Sequence, residues 1–154
     1  MIKYIWSIES PIGLIYLAET DGAISDLSFK AINGGEEKET PLISLATEML
    51  GEYFDGKLKV FDLPISFNIG TEFQKKSWSA LLTIPYGQTR SYKEQSLAIG
   101  SEKAFRAVGN ANGKNPISII VPCHRVIGTD GTLVGYGGGL DIKRYLLELE
   151  AKHK

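Results

Sequence analysis

Residues 91–113 read SYKEQSLAIGSEKAFRAVGNANG, and this stretch decides the fold of the second half of the chain. Ser91-Tyr92-Lys93-Glu94 has the form of a capping box, in which hydroxyl and carboxylate satisfy the free N–H groups of a helix start. The short helix that it opens stops at Gly100. Ser101 can cap a second helix, expected to run through Ala104, Phe105, Arg106, Ala107 and Val108 to about Asn112. Helix, glycine-containing turn and second helix match the helix-turn-helix outline. Ala104, Ala107 and Ala111 fall at i, i+3 and i+7 on one face, with Gly109 and Gly113 nearby. Small side chains let a helix backbone approach another surface closely. That surface is a neighbouring helix in most soluble proteins and a nucleic-acid groove in some basic segments. Arg106 lies beside this face and can reach past it.

Upstream, Thr71-Glu72-Phe73-Gln74 repeats the capping-box pattern, and Phe73, Trp78, Leu81 and Leu82 give that helix an apolar face. Pro85-Tyr86-Gly87-Gln88 ends it in a turn. The first thirty residues read as strands. Ile2–Ile8 and Gly13–Ala18 flank a turn at Ser10-Pro11-Ile12-Gly13, and Asp21-Gly22 is a hairpin signal before Ala23–Phe29. Pro41 opens a helix with Leu42, Leu45, Met49 and Tyr53 at helical spacing. Lys59–Phe67 reads as another short strand. The expectation is a mixed α/β (α+β) fold. A small strand-rich α/β domain spans 1–70, and a mainly helical domain with a helix-turn-helix spans 71–154.

Composition supports a globular chain. Of 154 residues, 43% are hydrophobic and 23% charged, which excludes disordered and fibrous architectures. No apolar run approaches the ~20 residues that span a bilayer. Met1–Trp6 lacks the apolar core and cleavage site of a leader. One cysteine excludes an internal disulfide framework and a Cys-based zinc cluster. A reducing, cytoplasmic location is expected, or a nuclear one in a eukaryote. The net charge of −1 hides an asymmetry. Residues 1–71 carry 5 Lys/Arg against 11 Asp/Glu, net −6, whereas 72–154 carry 12 against 7, net +5. Residues 73–125 alone hold 8 basic and 2 acidic side chains, net +6. Charge of this kind marks a polyanion-binding face or two solvated surfaces of opposite sign.

Chemistry concentrates after Ile117-Ser118-Ile119-Ile120-Val121, a β-branched apolar run that predicts a buried strand. It ends in Pro122-Cys123-His124-Arg125-Val126. A lone cysteine in an apolar setting is usually inert. Here Pro122 fixes the backbone, His124 offers a base, and Arg125 adds positive charge that favours thiolate. In extended backbone neighbouring side chains point to opposite faces. Adjacent Cys and His therefore communicate more readily through a water molecule than directly. A third group should orient the imidazole. In the last helix Lys143, Leu147 and Glu150 share a face, and Ile142, Tyr145, Leu146 and Leu149 form an apolar stripe. Glu150 is the candidate acceptor for the imidazole N–H and Lys143 a brace, unless the two are simply an exposed helical charge pair. Gly135-Tyr136-Gly137-Gly138-Gly139-Leu140 lacks the Gly-Lys-Ser/Thr ending of a phosphate loop and suits a flat ligand approaching the backbone.

These residues resemble the O6-alkylguanine-DNA alkyltransferases, the suicide repair proteins for alkylated guanine. The resemblance covers roughly residues 71–150 and has Pro122-Cys123-His124-Arg125-Val126 as its signature. It extends to Ser91-Tyr92, Arg106-Ala107-Val108-Gly109, Asn115-Pro116, Tyr136 with Gly138-Gly139-Leu140, and the Lys143–Glu150 helix. The Ser10-Pro11-Ile12-Gly13 hairpin looks like the family's first domain. The resemblance implies that Cys123 attacks the alkyl carbon in line and keeps the alkyl group as a thioether. His124 takes the thiol proton through water, oriented by Glu150. Tyr92 protonates the leaving guanine at N3, and Lys143 supports the pocket. Arg106 fills the gap left by the flipped nucleotide. Ser91, Ala104, Ala107, Gly109, Ala111 and Arg125 join it on the DNA. Asn115 ties the turn beneath the site, and Val126, Tyr136, Gly137 and Gly138 line the guanine pocket.

The implied partner is double-stranded DNA, bound through the minor groove by a monomer, with no membrane, cofactor or metal. That groove is only about 6 Å wide and its base pattern is degenerate, which suits repair of lesions in any sequence. Gly137 stands where some members carry a bulkier or polar residue, so larger alkyl groups are expected to fit. Relatives that hold zinc in the first domain do so through cysteines, which this chain lacks. Two other readings stand beside this one: a lesion-binding module without transfer, and a cysteine hydrolase using Cys123, His124 and Glu150. Zero, one or many turnovers per chain separate the three.

Overall fold

The computed structural model describes residues 2–154; Met1, the first residue of the segment read for a leader, lies outside them. Contacts divide the chain into two compact units, Met1–Asn68 and Ile69–Lys154. No helix among the described residues is long and apolar enough to cross a membrane.

In the first unit, β1 (Lys3–Ser10), β2 (Gly13–Thr20) and β3 (Ala23–Ser28) form an antiparallel meander. Ser10 opposes Gly13 across the first turn, where Gly13 has φ +100°. The Ser10 hydroxyl donates to the Gly13 carbonyl (2.7 Å). Asp21 and Gly22 adopt φ 50° and 78°, the two positive values that a two-residue hairpin turn of this kind needs. A short strand that the sequence reading missed, β4 (Glu36–Glu37), adds to β1 in parallel, giving the order β3-β2-β1-β4 among the described residues.

Thr40 caps α1 (Pro41–Phe54) by accepting from the Ile43 N–H. The face it buries is Ile43, Ala46, Leu50 and Tyr53. Leu45, expected inside, is 44% exposed, because the inward stripe is displaced by one residue from the predicted one. Ile15, Leu17, Ala18, Ile24 and Leu27 complete this core. Lys59–Phe67 is not a strand. It meets the sheet at a single described bridge, Ile24 to Ile65, with Ile24 N–H donating to Pro64 O (2.9 Å) and Ser66 N–H to Ile24 O (3.0 Å).

In the second unit, α2 (Glu72–Leu81) and α3 (Tyr92–Ala98) each begin with a complete capping box, on Thr71 and Ser91 respectively. The following helix, α4, spans Phe105–Gly113. A buried polar network fixes the three. Gln95 donates to Asn112 Oδ1 (3.1 Å) and Ser77 Oγ (3.0 Å), and Asn112 donates back to Gln95 Oε1 (2.8 Å). The Trp78 indole donates to Ala111 O (2.7 Å). Fully satisfied networks of this kind define one packing arrangement. A parallel pair, β5 (Arg90–Ser91) with β6 (Val126–Ile127), ties the start of α3 to the residues after Cys123. The last helix, α5, runs Leu140–His153.

Candidate active site

The segment before the cysteine is not the strand that its β-branched composition predicts. Ile117 N–H donates to Asn115 Oδ1 (3.0 Å), and Asn115 Nδ2 donates to Val121 O (2.8 Å). These bonds close residues 115–121 into tight turns, with Ile119 at φ 70°. That conformation costs a β-branched residue on the order of 1–3 kcal/mol. Ile117, Ile119, Ile120 and Val121 remain buried. Side-chain bonds to backbone have overruled local propensity here. Asn115 therefore braces the turns that lead into Cys123.

Cys123, His124 and Arg125 form one 3₁₀ turn entered from Pro122. Such a turn directs successive side chains about 120° apart, so Cys and His diverge, though by helical rather than extended geometry. His124 is fully buried, and its Nε2 lies 2.6 Å from Glu150 Oε2. Burial pushes Glu150 up, but the His124 ring and the Arg125 guanidinium overrule it and hold the carboxyl far below the usual range. An ionised carboxylate only accepts. The proton therefore sits on Nε2, and Nδ1 carries the free lone pair. Nδ1 is buried and has no hydrogen-bond partner among the described residues. Burial, outweighing Glu150, lowers the His124 pKa and keeps the ring neutral. Burial also raises the Cys123 thiol, against the Asn115 amide and the Lys143 charge. The resting pair is thus a neutral thiol beside a neutral, oriented base.

Arg125 corrects two expectations. Its Nε donates to Glu150 Oε1 (2.8 Å), Nη2 to Glu150 Oε2 (3.1 Å) and Nη1 to Ile84 O (2.7 Å). It is 8% exposed. It neither faces DNA nor acts chiefly on the thiol; it holds the carboxylate that orients His124. Ser91 and Ala111 also leave the DNA-facing set. The Ser91 hydroxyl accepts from Glu94 N–H as the α3 cap (3.0 Å), and Ala111 is buried against Trp78. Ala104 is half-buried at the start of α4, and Ala107 and Arg106 are exposed. The small-residue stripe is therefore not one open face.

Lys143 and Glu150 are not an exposed charge pair. With Leu146 they form the buried face of α5, while Tyr145 of the expected stripe is 37% exposed. Lys143 Nζ donates to Val134 O (3.0 Å), as does the Tyr92 hydroxyl (2.8 Å), and Nζ lies 5.8 Å from the Tyr92 ring centroid. Burial lowers Lys143 and raises Tyr92.

A cavity of about 510 Å³ opens beside this cluster, lined by Tyr92, Arg106, Gly109, Tyr136, Gly137 and neighbouring residues of α4 and the 134–137 loop. Cys123, 6% exposed, does not line it directly. Burial, joined by the charge of the Cys123 thiolate once formed, raises the phenols of two residues that do, Tyr92 and Tyr136. Val126 and Gly138, expected in the pocket wall, are not among its lining residues, Val126 being drawn into the strand pair, and the Asn115 amide is engaged in the turn.

Residues 72–152 match the family described as 6-O-methylguanine DNA methyltransferase, DNA binding domain, and residues 3–67 match its ribonuclease-like domain. The chain belongs to the 6-O-methylguanine DNA methyltransferase family. It is 50% identical to the methylated-DNA–protein-cysteine methyltransferase of Methanosarcina barkeri, over 93% of this chain and 94% of that one. The constitutive enzyme of that name from Bacillus subtilis is 43% identical, covering 97% and 96%. The crystal structure of Mycobacterium tuberculosis OGT in complex with DNA superposes with a TM-score of 0.90 at 47% identity, covering 97% of this chain and 94% of that one.

Three parts of the methyltransferase site escaped the sequence reading. The Val134 carbonyl gathers both Tyr92 and Lys143. The Ile84 carbonyl and the Gly87 N–H, the latter 3.2 Å from Glu150 Oε1, complete the shell of the Arg125–Glu150 pair. All are backbone groups, and no side-chain signal marks them. Among the described residues no group of three or more His, Cys, Asp and Glu is placed to hold a metal ion.

Proposed function

We propose that this chain repairs DNA by direct reversal, moving a methyl or larger alkyl group from O6 of guanine to Cys123 once per molecule. The observation that carries the reading is the His124–Glu150 pair: an ionised carboxylate fixes the tautomer whose free nitrogen, on the residue next to the cysteine, is buried and has no partner among the described residues. A buried nitrogen of this kind calls for a partner, and a water shared with the thiol meets the need.

The thiol proton passes through that water to His124 Nδ1. Sulfur attacks the alkyl carbon, and the carbon–oxygen bond breaks with its electron pair on guanine O6. Tyr92, kept protonated by burial, gives its proton to N3 of the leaving base. Lys143 holds the Val134 loop and tempers the phenolate that this leaves. A thioether is a poor leaving group, so the cycle ends there. The target atom is unreachable in a duplex, and extrusion costs a few kcal/mol. Arg106, exposed on α4 at the cavity, offsets that cost by filling the vacancy. The basic segment over 73–125 supports binding of duplex DNA through phosphate contacts, which weaken with salt. DNA as substrate and the bacterial and archaeal relatives support action in the cytoplasm.

With O6-methylguanine duplex in excess, one guanine should be restored per chain, after which reaction stops. Cys123→Ser should lose transfer and keep DNA affinity. Continued turnover would favour the hydrolase reading, and no restoration the lesion-binding one.

A further inference from the structure

We propose that Phe105 stacks on the extruded purine, forming an aromatic jaw at the mouth of the cavity that holds the base outside the helix. The inference rests on the alkyl-transfer reading of the site and adds a substrate contact to it.

Helix α4 buries its other large apolar residue, Val108, completely, yet leaves Phe105 48% exposed. Phe105 precedes Arg106 and lines the same cavity. On α4 it shares a face with Gly109 and Gly113 at i, i+4 and i+8, and both glycines also line the cavity. Neither contributes a side chain, so the Phe105 ring supplies the apolar bulk of that wall. A long helical side chain leans toward the helix N-terminus, away from the Gly113 surface, where an added Cβ would meet nothing within 4 Å. The neighbouring wall is aromatic too, since the Tyr92 ring packs over Gly109, where an added Cβ would meet it at 3.6 Å. Tyr136 and Gly137 line the cavity from the 134–137 loop. A slot with aromatic rings on its walls and glycine between them has the shape and polarity of a flat purine. Every base offers a π-face, so stacking is indifferent to sequence.

Arg106 and Phe105 then divide the work. Filling a vacancy matters only where there is a stack to fill. Holding the base matters wherever a base enters. The experiment measures methyl transfer to Cys123 from O6-methylguanine in a duplex, in a single strand and as the free base, for wild type, Phe105→Ala, Phe105→Leu and Phe105→Tyr. Phe105→Ala is expected to slow all three by about tenfold, the size of one lost base–aromatic stack. Phe105→Tyr should return to within about twofold of wild type, and Phe105→Leu should not. A loss confined to the duplex, equal rates for Leu and Tyr, or no loss for Ala would each overturn the jaw. If the wild type transfers nothing, the alkyl-transfer reading itself fails, an outcome distinct from any of these.

Discussion

The cluster around Glu150 and the open wall of α4 belong to the same compact unit, yet they treat charge in opposite ways. Arg125 is enclosed and bidentate on Glu150, and His124 and Lys143 are fully buried beside it. Arg106, on the α4 wall, is exposed among glycines at a cavity. In the first region Arg125 has a carboxylate and Lys143 a backbone carbonyl as fixed partners, and the return is a neutral imidazole held in one tautomer. In the second, charge and aromatic surface are left open to a partner. A basic count along the chain is therefore not a map of a binding face. Arg125 belongs to the net +6 segment over 73–125 but acts internally.

The sharpest way to break this contrast is Glu150→Ala. It leaves the Arg125 guanidinium buried without a counter-ion, which should cost about 3–5 kcal/mol in urea unfolding and abolish transfer. A cost under about 1 kcal/mol would mean that the cluster is not a coupled unit. Arg106→Ala belongs to the other class. Stability should stay within about 0.5 kcal/mol, while transfer from duplex DNA slows by at least about tenfold and reaction with the free base is unchanged. Equal slowing of both would remove the vacancy-filling role.

Acid sharpens the contrast through the same residues. His124 has a folded pKa below 6.5, so the unfolded chain takes up its proton first and stability falls as pH drops through that value. Glu150 is depressed below 4.5; its contribution is whole above 4.5 and is lost as pH falls further. Melting temperature should therefore decline in two stages on acidification, and transfer should fail only below pH 6.5. A transfer midpoint above 6.5 would contradict a buried neutral base. The smallest effect is expected at Gly137, where an added Cβ meets nothing within 4 Å. Gly137→Ala should shift stability by less than about 0.5 kcal/mol. O6-benzylguanine should label Cys123 of the wild type, and its failure while methyl transfers would count against an open wall.

Local signals carried much of this structure. The Asp21-Gly22 turn, the Thr71 and Ser91 capping boxes and the Pro41 helix start each involve residues a few positions apart, and each formed as read. Readings failed where a distant or unusual partner decided the outcome. Asn115 closes Ile117–Val121 into turns against its β-branched composition. Arg125 is claimed by a carboxylate on α5 and a carbonyl at Ile84. Periodicity gave Tyr145 to the core of α5, whereas the helix buries Lys143 and Glu150, because hydrogen-bonded partners on distant elements offset the cost of taking those charges out of water. The Cys123-His124 signature and its family were legible, but the backbone carbonyl at Val134 was not.

The most direct measurement is intact-protein mass spectrometry, followed by peptide mapping, after incubation with duplex DNA carrying O6-methylguanine. A mass gain of one methyl, located on Cys123 and absent from Cys123→Ser, is the expected result. Guanine restored in the DNA by a chain of unchanged mass would contradict it.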